Sequence, residues 1–366
     1  MSYQDVASAL GVAIGAKVPV ILWGAPGQGK TSVLEAIAKE TNRDITTILA
    51  SIREPSDFAG LPHIVDGKTR LIAPDWAQNI REKGGEGILF FDEISTAPPA
   101  TQAAMLRVAL DRIVGDLYLG DNVSIVAAAN PPEIAADGWD LAAPMANRFC
   151  HLDWNLPADV VRDGFAGGWA PVKVPTPDAE DVKTATREAR LLVAAFLNAR
   201  PDTVTVMPKA TAEAGRAFPT PRSWEMAATL LGFATAAKSS AFTRRTLIAG
   251  TIGVATAGEF LSYIDELDLP NPEDLLAKPE DFVPPTRGDK VYAIGASVLA
   301  VVKDNNTPDR WKAAGRLIAV IAKSNHSDVA VAIGKRWMGI RPSESVMPDA
   351  ESLKALAPIL KEAKII

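Results

Sequence analysis

A glycine-rich run near the N-terminus constrains the fold of this chain more than any other feature. The run is Gly24-Ala25-Pro26-Gly27-Gln28-Gly29-Lys30-Thr31, and it fits the pattern G-x-x-x-x-G-K-[ST]. In this pattern backbone N–H groups surround phosphate oxygens, the lysine adds positive charge at the β and γ positions, and the hydroxyl reaches Mg²⁺. An apolar run at 18–23 precedes the loop, and a helical pattern at Lys30–Lys39 follows it. The positive end of that helix would face the same anions, so the sequence predicts a strand, a phosphate loop and a helix in succession.

The first 155 residues alternate apolar runs with helical stretches, which is the pattern of an α/β domain with a largely parallel sheet. The apolar runs are short and continuous, as expected of strands that are covered on both faces. The predicted strands are Val18–Trp23, Ile45–Ala50, Gly87–Phe91, Val123–Ala129 and Phe149–Asp153.

Two carboxylates end the third predicted strand, in the run Ile88-Leu89-Phe90-Phe91-Asp92-Glu93. A buried strand that ends in adjacent acids is costly unless something needs the charge. Beside a phosphate loop, the aspartate would hold Mg²⁺ and the glutamate would orient and deprotonate water. Alone, the pair fits the start of a loop or a helix cap equally well, but together with the loop it favours catalysis. Glu93 is therefore the predicted base.

Asn130 follows the fourth predicted strand, in the turn Asn130-Pro131-Pro132. An uncharged polar group beside the acidic strand would hold the attacking water or touch the γ-phosphate, and an ordinary Asn-Pro turn explains it equally well. Thr31 and Asp92 are the predicted Mg²⁺ ligands. The residues predicted to bind ATP are Gly24, Ala25, Pro26, Gly27, Gln28, Gly29, Lys30, Thr31, Ser32 and Asp92.

Beyond residue 155 the sequence becomes strongly helical, with a Gly/Pro-rich link at 165–177 and a Pro-rich link at 267–286. We predict an α/β nucleotide-binding core at 1–156, an α-helical lid at 157–266, and a C-terminal linker and helical module at 267–366. The predicted helices are Asp178–Asn198, one that begins at Thr220-Pro221, and 288–303, 308–323, 327–337 and 349–364.

Five segments, taken in order, resemble the MoxR branch of AAA+ ATPases, whose relatives include the magnesium-chelatase motor subunits and the dynein-related AAA group. They are G-A-P-G-Q-G-K-T, R-E-P-S-D-F-A-G-L-P, I-L-F-F-D-E-I-S-T-A-P-P-A-T-Q-A-A-M-L-R, V-A-A-A-N-P-P and L-A-A-P-M-A-N-R-F. The resemblance covers about 15–155, and T-P-R-S-W at 220–224 extends it into the lid. It implies a P-loop AAA+ core in a homo-oligomeric ring, hexameric in the family, with ATP bound between subunits. The C-terminal third carries no motif that matches.

The resemblance also implies roles for three polar residues. Asn130 takes the sensor-1 place, and Arg148, in N-R-F, matches the arginine finger that reaches a neighbouring subunit's nucleotide. Arg222, in the first turn of a lid helix, matches the sensor-2 arginine, acting either in cis or in trans. Arginine's fork suits phosphate oxygens, although most single arginines are simply surface residues. Arg107 and Arg112 are weaker candidates for interface charges.

Two insertions resemble the same branch. The segment His63–Trp76 contains Asp66-Gly67, a good hairpin turn, and Arg112–Leu119 reads as a second hairpin. In relatives the first projects toward the ring pore, so Leu71 and Ile72 are candidates for substrate contact; both insertions are equally explained as plain surface hairpins. Because these loops lack the aromatic-hydrophobic-glycine pore motif, local remodelling, or insertion of a metal or cofactor through a partner, fits better than threading. The resemblance implies that this partner often carries a von Willebrand factor A domain.

Composition narrows the alternatives. The net charge of -6 and the absence of Lys/Arg runs argue against a nucleic-acid motor. The single cysteine, the absence of a signal-peptide pattern and the absence of a membrane-length apolar run predict a cytoplasmic protein. The three histidines lie far apart, which makes a zinc site unfavourable. A nucleotide-gated scaffold with slow hydrolysis stays open as an alternative to a remodelling ATPase. A GTP-specific enzyme of the same branch also stays open, although no base-reading motif identifies guanine.

Overall fold

The computed structural model describes residues 3–131, 139, 141–209, 211–267, 269–343 and 345–362. Packing divides the chain into two compact units. The first is Met1–Thr186 with Asp202–Glu259, and the second is Arg187–Pro201 with Phe260–Ile366. The division into core, lid and C-terminal module stays a prediction. Within the described residues no helix is both long enough and apolar enough to cross a membrane.

The strands of the described chain all lie in the first unit. They are β1 (Val20–Trp23), β2 (Ile45–Leu49), β3 (Leu61–Val65), β4 (Lys68–Ile72), β5 (Glu86–Asp92), β6 (Ile113–Val114), β7 (Leu117–Tyr118), β8 (Asn122–Ala129) and β9 (Cys150–Asp153). Five of them form one parallel sheet in the order β2-β5-β8-β1-β9, which confirms the predicted α/β fold with a parallel sheet. The pairs β3–β4 and β6–β7 are antiparallel hairpins.

Helices begin before the sheet and continue through both units. Through the end of the first unit they are α1 (Tyr3–Gly15), α2 (Lys30–Glu40), α3 (Ser56–Ala59), α4 (Asp75–Glu82), α5 (Pro99–Asp111), α6 (Ala143–Ala146), α7 (Ala158–Gly167), α8 (Ala179–Ala199), α9 (Thr211–Ala214), α10 (Pro221–Ala236), α11 (Ala241–Ile252) and α12 (Val254–Leu267). Both α8 and α12 cross the boundary between the units. Short 3-10 turns lie at Ala50–Ile52, Ile94–Thr96, Pro201–Thr203 and Pro279–Asp281.

The sheet is buried on both faces, as its continuous apolar strands predict. Side chains alternate along β5, so Ile88 and Phe90 enter one core while Leu89 and Phe91 enter the other. The first core is closed by residues of α1, α2, α10 and α11, and the second by residues of α4, α5 and α6. This layering holds the carboxyl ends of the parallel strands at one edge of the sheet.

The second unit is helical around its own core. Its further helices are α13 (Pro272–Ala277), α14 (Gly288–Asp304), α15 (Pro308–Ala322), α16 (Ser327–Gly339) and α17 (Ala350–Glu362). Trp311 and Trp337 stack 4.3 Å apart at its centre, and each indole N–H donates to the other residue's carbonyl oxygen. Within the Pro-rich link predicted at 267–286 the structure forms the short helix α13, because Asn271 accepts from the N–H of Glu273 and Pro272 suits the first helical position.

Candidate active site

The phosphate loop leaves β1 at Gly24 and enters α2 at Lys30, as the sequence predicts. Gly24 has to be glycine, because a Cβ there would lie 2.2 Å from the carbonyl oxygen of Trp154. Its N–H donates to the carbonyl oxygen of Ala129, which ties the start of the loop to the end of β8. Gly29 precedes α2 with a φ of 69°, a conformation that glycine adopts without strain.

The segment after β9 braces the loop from outside. The indole N–H of Trp154 donates to the carbonyl oxygen of Gln28 at 2.9 Å. In return, the Gln28 side-chain oxygen accepts from the N–H of Leu156 at 2.8 Å. These two bonds fix the backbone in the middle of the loop.

Lys30 lies beneath the loop and is only 8% exposed. Its ammonium donates to the carbonyl oxygens of Gly24 and Ala25, at 2.6 and 3.1 Å, and to Oδ1 of Asn130, at 3.1 Å. Burial lowers the pKa of Lys30, and the carboxylates of Asp92 and Glu93 oppose that shift. Each of the three N–H donors of the Lys30 ammonium has an acceptor. The positive charge is therefore held in a fixed position that suits phosphate binding.

The predicted metal ligands lie side by side. The Thr31 hydroxyl donates to Oδ2 of Asp92 at 3.1 Å, and Oδ1 of Asp92 accepts from the N–H of Glu93. Among the described residues no group of three or more His, Cys, Asp or Glu side chains could hold a metal alone. One hydroxyl and one carboxylate suit Mg²⁺, which keeps several waters and takes further oxygens from phosphates. The donor set therefore fits a magnesium ion that arrives with a nucleotide.

Glu93 has a left-handed backbone, with φ 54° and ψ 39°, at the turn from β5 into the Ile94–Thr96 segment. Positive φ is uncommon for a residue with a long side chain and clusters at functional sites. Its exposed carboxylate accepts from the Ser51 hydroxyl at 3.0 Å. The Thr96 hydroxyl donates to its carbonyl oxygen, which fixes the turn.

These residues surround a cavity of about 390 Å³. The register of the sheet explains the convergence, because Trp23 pairs with Ala129 and Leu49 pairs with Asp92, so the strand ends meet at one edge. Gly24 and Ala25 do not line the cavity, but their carbonyl oxygens hold Lys30. The lining residues are Pro26, Gly27, Gln28, Gly29, Lys30, Thr31, Ser32, Asp92, Glu93, Ala128, Ala129 and Asn130.

The two predicted catalytic arginines are not among the cavity's lining residues. Arg148 follows α6, and burial followed by the charge of Arg222 lowers its pKa, while Asp111 opposes the shift. One nitrogen of Arg148 donates to the carbonyl oxygen of Pro144, and its buried Nε has no hydrogen-bond partner among the described residues. Arg222 lies exposed in the first turn of α10. In the described part of the chain no carboxylate is within ion-pair distance of either guanidinium.

The weaker arginine candidates bond to backbone. Arg107 donates to the carbonyl oxygen of Gly115, and Arg112 donates to those of Val123 and Lys17. These contacts brace the second hairpin and the start of β8. Their role at an interface between subunits stays a prediction.

Both predicted hairpins are present. In the first, Asp66 and Gly67 join β3 to β4, both with positive φ. Ile64 is 81% and Leu61 56% exposed, and Ile72 is also exposed. Leu71 is half-buried, and its N–H and carbonyl oxygen both bond to Asp116 of the second hairpin. The exposed apolar surface of this hairpin is therefore carried by Leu61, Ile64, Val65 and Ile72.

Sequence reasoning missed Ser51, Trp154 and His151. Ser51 follows β2, whose end meets that of β5, so strand-end position was a signal that could have found it. Burial lowers the pKa of His151 to about 4, so the ring is neutral at pH 7. Its Nδ1 accepts from the indole N–H of Trp23, and its Nε2 donates to the carbonyl oxygen of Ala146. No local pattern around these aromatic residues indicated these contacts.

Comparison with known proteins gives one match of sequence. Residues 19–149 match the model of the AAA domain (dynein-related subfamily). The matched segment contains the phosphate loop, Asp92, Glu93, Asn130 and Arg148, and it ends before α10 and Arg222. No curated protein matches the chain.

Among solved structures, one from Cytophaga hutchinsonii, described as an inferred ATPase, is similar to this chain. The identity is 15%, the TM-score is 0.42, and the alignment covers 72% of this chain and 88% of the other. A likeness this distant says nothing about the function of the chain.

Proposed function

We propose that this chain is an Mg²⁺-dependent ATPase that works as a ring of identical subunits and remodels or activates a partner protein. The observation that carries the proposal is a division of charged groups. Groups suited to phosphate, metal and water converge on one cavity, while two arginines without carboxylate partners lie outside its lining. The match of residues 19–149 to an AAA domain supports the same proposal.

In the bound state, the loop N–H groups and Lys30 would hold the β- and γ-phosphates. Lys30 would exchange its bonds to the Gly24 and Ala25 carbonyl oxygens for phosphate oxygens, which carry full charge and make stronger hydrogen bonds. Thr31 and Asp92 would hold Mg²⁺, which supplies positive charge at the phosphates. The cavity of about 390 Å³ lies within the size range of small-ligand sites.

Hydrolysis would depend on Glu93 and Asn130. Glu93 is an exposed carboxylate at the cavity, so it would take a proton from water aligned with the γ-phosphate. Asn130 already contacts Lys30 through Oδ1, and its amide would orient that water or the γ-phosphate. Both groups come from strand ends, which are rigid supports for catalysis.

Arg148 and Arg222 would act on the nucleotide of a neighbouring subunit. A guanidinium without a carboxylate partner is suited to an incoming anion, and here two lie close enough for one to lower the pKa of the other. Arginine supplied in trans stabilises the charge that develops in phosphoryl transfer. The resemblance to the MoxR branch supports this arrangement and a hexameric ring.

The partner is proposed from the same resemblance as a protein with a von Willebrand factor A domain. The exposed apolar residues of the first hairpin are suited to contact with protein; they are Leu61, Ile64, Val65 and Ile72. Because the hairpin lacks the aromatic-hydrophobic-glycine motif, we propose local remodelling of the partner rather than threading.

Mixing two inactive variants tests the assignment in trans. Glu93→Gln chains keep Arg148 but lack the base, and Arg148→Ala chains keep the base but lack the arginine. We expect mixed rings to hydrolyse ATP faster than the summed rates of the two separate variants, because some sites combine an intact base with a neighbour's Arg148. A control mixture joins Glu93→Gln chains with Glu93→Gln/Arg148→Ala chains and should stay inactive. Additive rates in the first mixture, with mixed oligomers verified by native mass spectrometry, would contradict the proposal.

A slow nucleotide-gated scaffold is the second candidate, and one observation favours it. Oε2 of Glu93 already accepts from the Ser51 hydroxyl, so this oxygen is engaged before it could accept a proton from water. The scaffold predicts oligomers that form with ATP and a turnover that no partner accelerates. Stimulation by a partner protein would instead favour the remodelling ATPase.

A further inference from the structure

A buried amide joins the two arginine-bearing segments. Asn147 directly precedes Arg148 and is only 6% exposed. Its Nδ2 donates to the carbonyl oxygen of Phe218 at 3.1 Å, and its Oδ1 accepts from the Thr220 hydroxyl at 2.7 Å. A carbonyl oxygen only accepts, so the NH₂ end of the amide must face Phe218 and the oxygen must face Thr220. Both side-chain contacts therefore reach the segment that leads into α10.

Thr220 uses the same hydroxyl to cap that helix. Its oxygen accepts from the N–H of Ser223 at 3.2 Å, and the Ser223 hydroxyl accepts from the N–H of Thr220 at 2.8 Å. This capping box fixes the first turn of α10, which carries Arg222 at its second position. One hydroxyl thus sets both the start of the helix and its link to Asn147.

The opposite side of the Arg148 segment is also held. His151 Nε2 donates to the carbonyl oxygen of Ala146 at 2.9 Å, and its other nitrogen accepts from Trp23 at the end of β1. The backbone that carries Arg148 is therefore bonded to the strand before the phosphate loop and to the start of α10. Nothing in this frame touches the cavity itself, since neither Asn147 nor Thr220 lines it.

We propose that Asn147 is a positioning residue that holds Arg148 and Arg222 together as one anion-recognition pair. The inference rests on the proposed function, in which this pair meets the triphosphate of the next subunit. Two like charges without a carboxylate partner repel each other. Hydrogen bonds between the two segments are therefore needed to keep the two guanidinium groups close. The Asn147–Thr220 bond supplies that frame, because it links the residue before Arg148 to the cap of the helix that carries Arg222.

The proposal has a kinetic consequence. A group that stabilises a transition state must be placed within a fraction of an ångström, and a misplacement of about 1 Å costs on the order of 100-fold in rate. Loosening the frame should therefore lower kcat. It should leave KM nearly unchanged, because Lys30 and the loop bind the nucleotide independently of this frame.

Three variants of the full chain test this consequence through steady-state ATP hydrolysis and thermal unfolding. Thr220→Val removes the hydroxyl at nearly constant shape, so we expect kcat to fall about tenfold or more with KM within about threefold of wild type. Thr220→Ser restores the hydroxyl and should recover most of the rate. Ser240→Ala is the matched control, because Ser240 caps α11 through the N–H of Thr243 and has no link to either arginine. It should lower thermal stability comparably and leave kcat unchanged.

The decisive comparison is whether the effects of these substitutions on kcat add to the effect of removing the arginines. In an Arg148→Ala/Arg222→Ala background, Asn147→Ala and Thr220→Val should lower kcat no further, because both arginines that they position are already gone. A full additional loss in that background, or an equal loss of kcat in Ser240→Ala, would overturn the inference. If wild-type protein neither binds nor hydrolyses ATP, the proposed function is itself wrong. If wild type turns over and only the coupling is missing, the error lies with Asn147 alone.

Discussion

The strand-end cavity and the arginine pair differ in how completely their charges are satisfied. In the cavity, the Lys30 ammonium has three acceptors and Asp92 accepts from Thr31 and from a backbone N–H. In the arginine pair, Arg148 has one carbonyl partner and a buried Nε without any in the described structure. The cavity is therefore built to hold its shape alone, whereas the pair is suited to an anion from outside.

This difference separates binding from turnover in the proposed ATPase. Residues of the cavity should decide whether nucleotide binds, because they are already preorganised around it. Residues of the pair should decide how fast the bound nucleotide reacts, because they contribute only when a neighbour is present. Substitutions in the two regions should accordingly change different kinetic constants.

Removal of Arg148 should give the largest effect. Arginine supplied in trans contributes on the order of 1,000-fold or more to kcat, so Arg148→Ala should lose about that much. The dissociation constant for ATP should change less than about threefold. Fluorescent nucleotide binding and steady-state hydrolysis measure the two constants, with the exposed Arg245→Ala as control. A large loss of ATP binding would show that Arg148 helps to bind the nucleotide in the cavity. The cavity and the arginine pair would then not differ in the way proposed.

Lys30→Ala should mainly weaken ATP binding, whereas Arg148→Ala mainly lowers kcat. Removing a buried cation that faces the phosphates should weaken ATP binding about 100-fold, which corresponds to about 2.7 kcal/mol. Lys39→Ala, an exposed position in the last turn of the same helix, is the matched control and should bind ATP normally. Calorimetric titration measures both. Binding of ATP by Lys30→Ala with wild-type affinity would show that the loop is not the phosphate site.

The cavity was largely predictable from sequence, because its residues stand in local patterns. The loop is contiguous, and Asp92, Glu93 and Asn130 each follow a continuous apolar run. Parallel strands bring their carboxyl ends together, so a strand-end position already implies proximity. The structure adds what no local pattern contains, such as the bond from Trp154 to Gln28 across 126 positions.

The frame behind the arginine pair could not be predicted in the same way. Asn147 bonds to Thr220, 73 positions away, in a segment that local sequence marked only as a helix start. An asparagine before an arginine carries no periodicity and no motif of its own. Its partner is decided by how α10 packs in the first unit, which depends on tertiary contacts. The helix α13 was missed because of its local composition. It is a short capped helix among prolines, which are typical of a link.

Thr31→Val should give a smaller effect, which appears only in the dependence of hydrolysis on the Mg²⁺ concentration. Losing the hydroxyl that lies 3.1 Å from Asp92 removes one predicted Mg²⁺ ligand without changing the shape of the side chain much. We expect the Mg²⁺ concentration for half-maximal hydrolysis to rise about tenfold, since loss of one ligand leaves Asp92 and the phosphates. Thr41→Val is the matched control, because Thr41 lies just past the end of α2 and its hydroxyl contacts only the carbonyl oxygens of Ile37 and Ala38 among the described residues. An unchanged Mg²⁺ dependence would remove Thr31 from the metal site.

Ser51→Ala should give the smallest effect on kcat. It tests whether turnover is limited inside the cavity as well as by the arginine pair. Its hydroxyl donates to Glu93 at 3.0 Å, but that carboxylate is exposed, so water replaces the lost bond at little cost. Loss of the bond also frees Oε2 of Glu93 to accept from the attacking water, so we expect kcat to rise by less than about threefold, with KM unchanged. Ser56→Ala, an exposed serine of α3, is the control and should match wild type. A rise of tenfold or more would mean that Ser51 restrains the base, and turnover would then be limited inside the cavity as well as by the arginine pair.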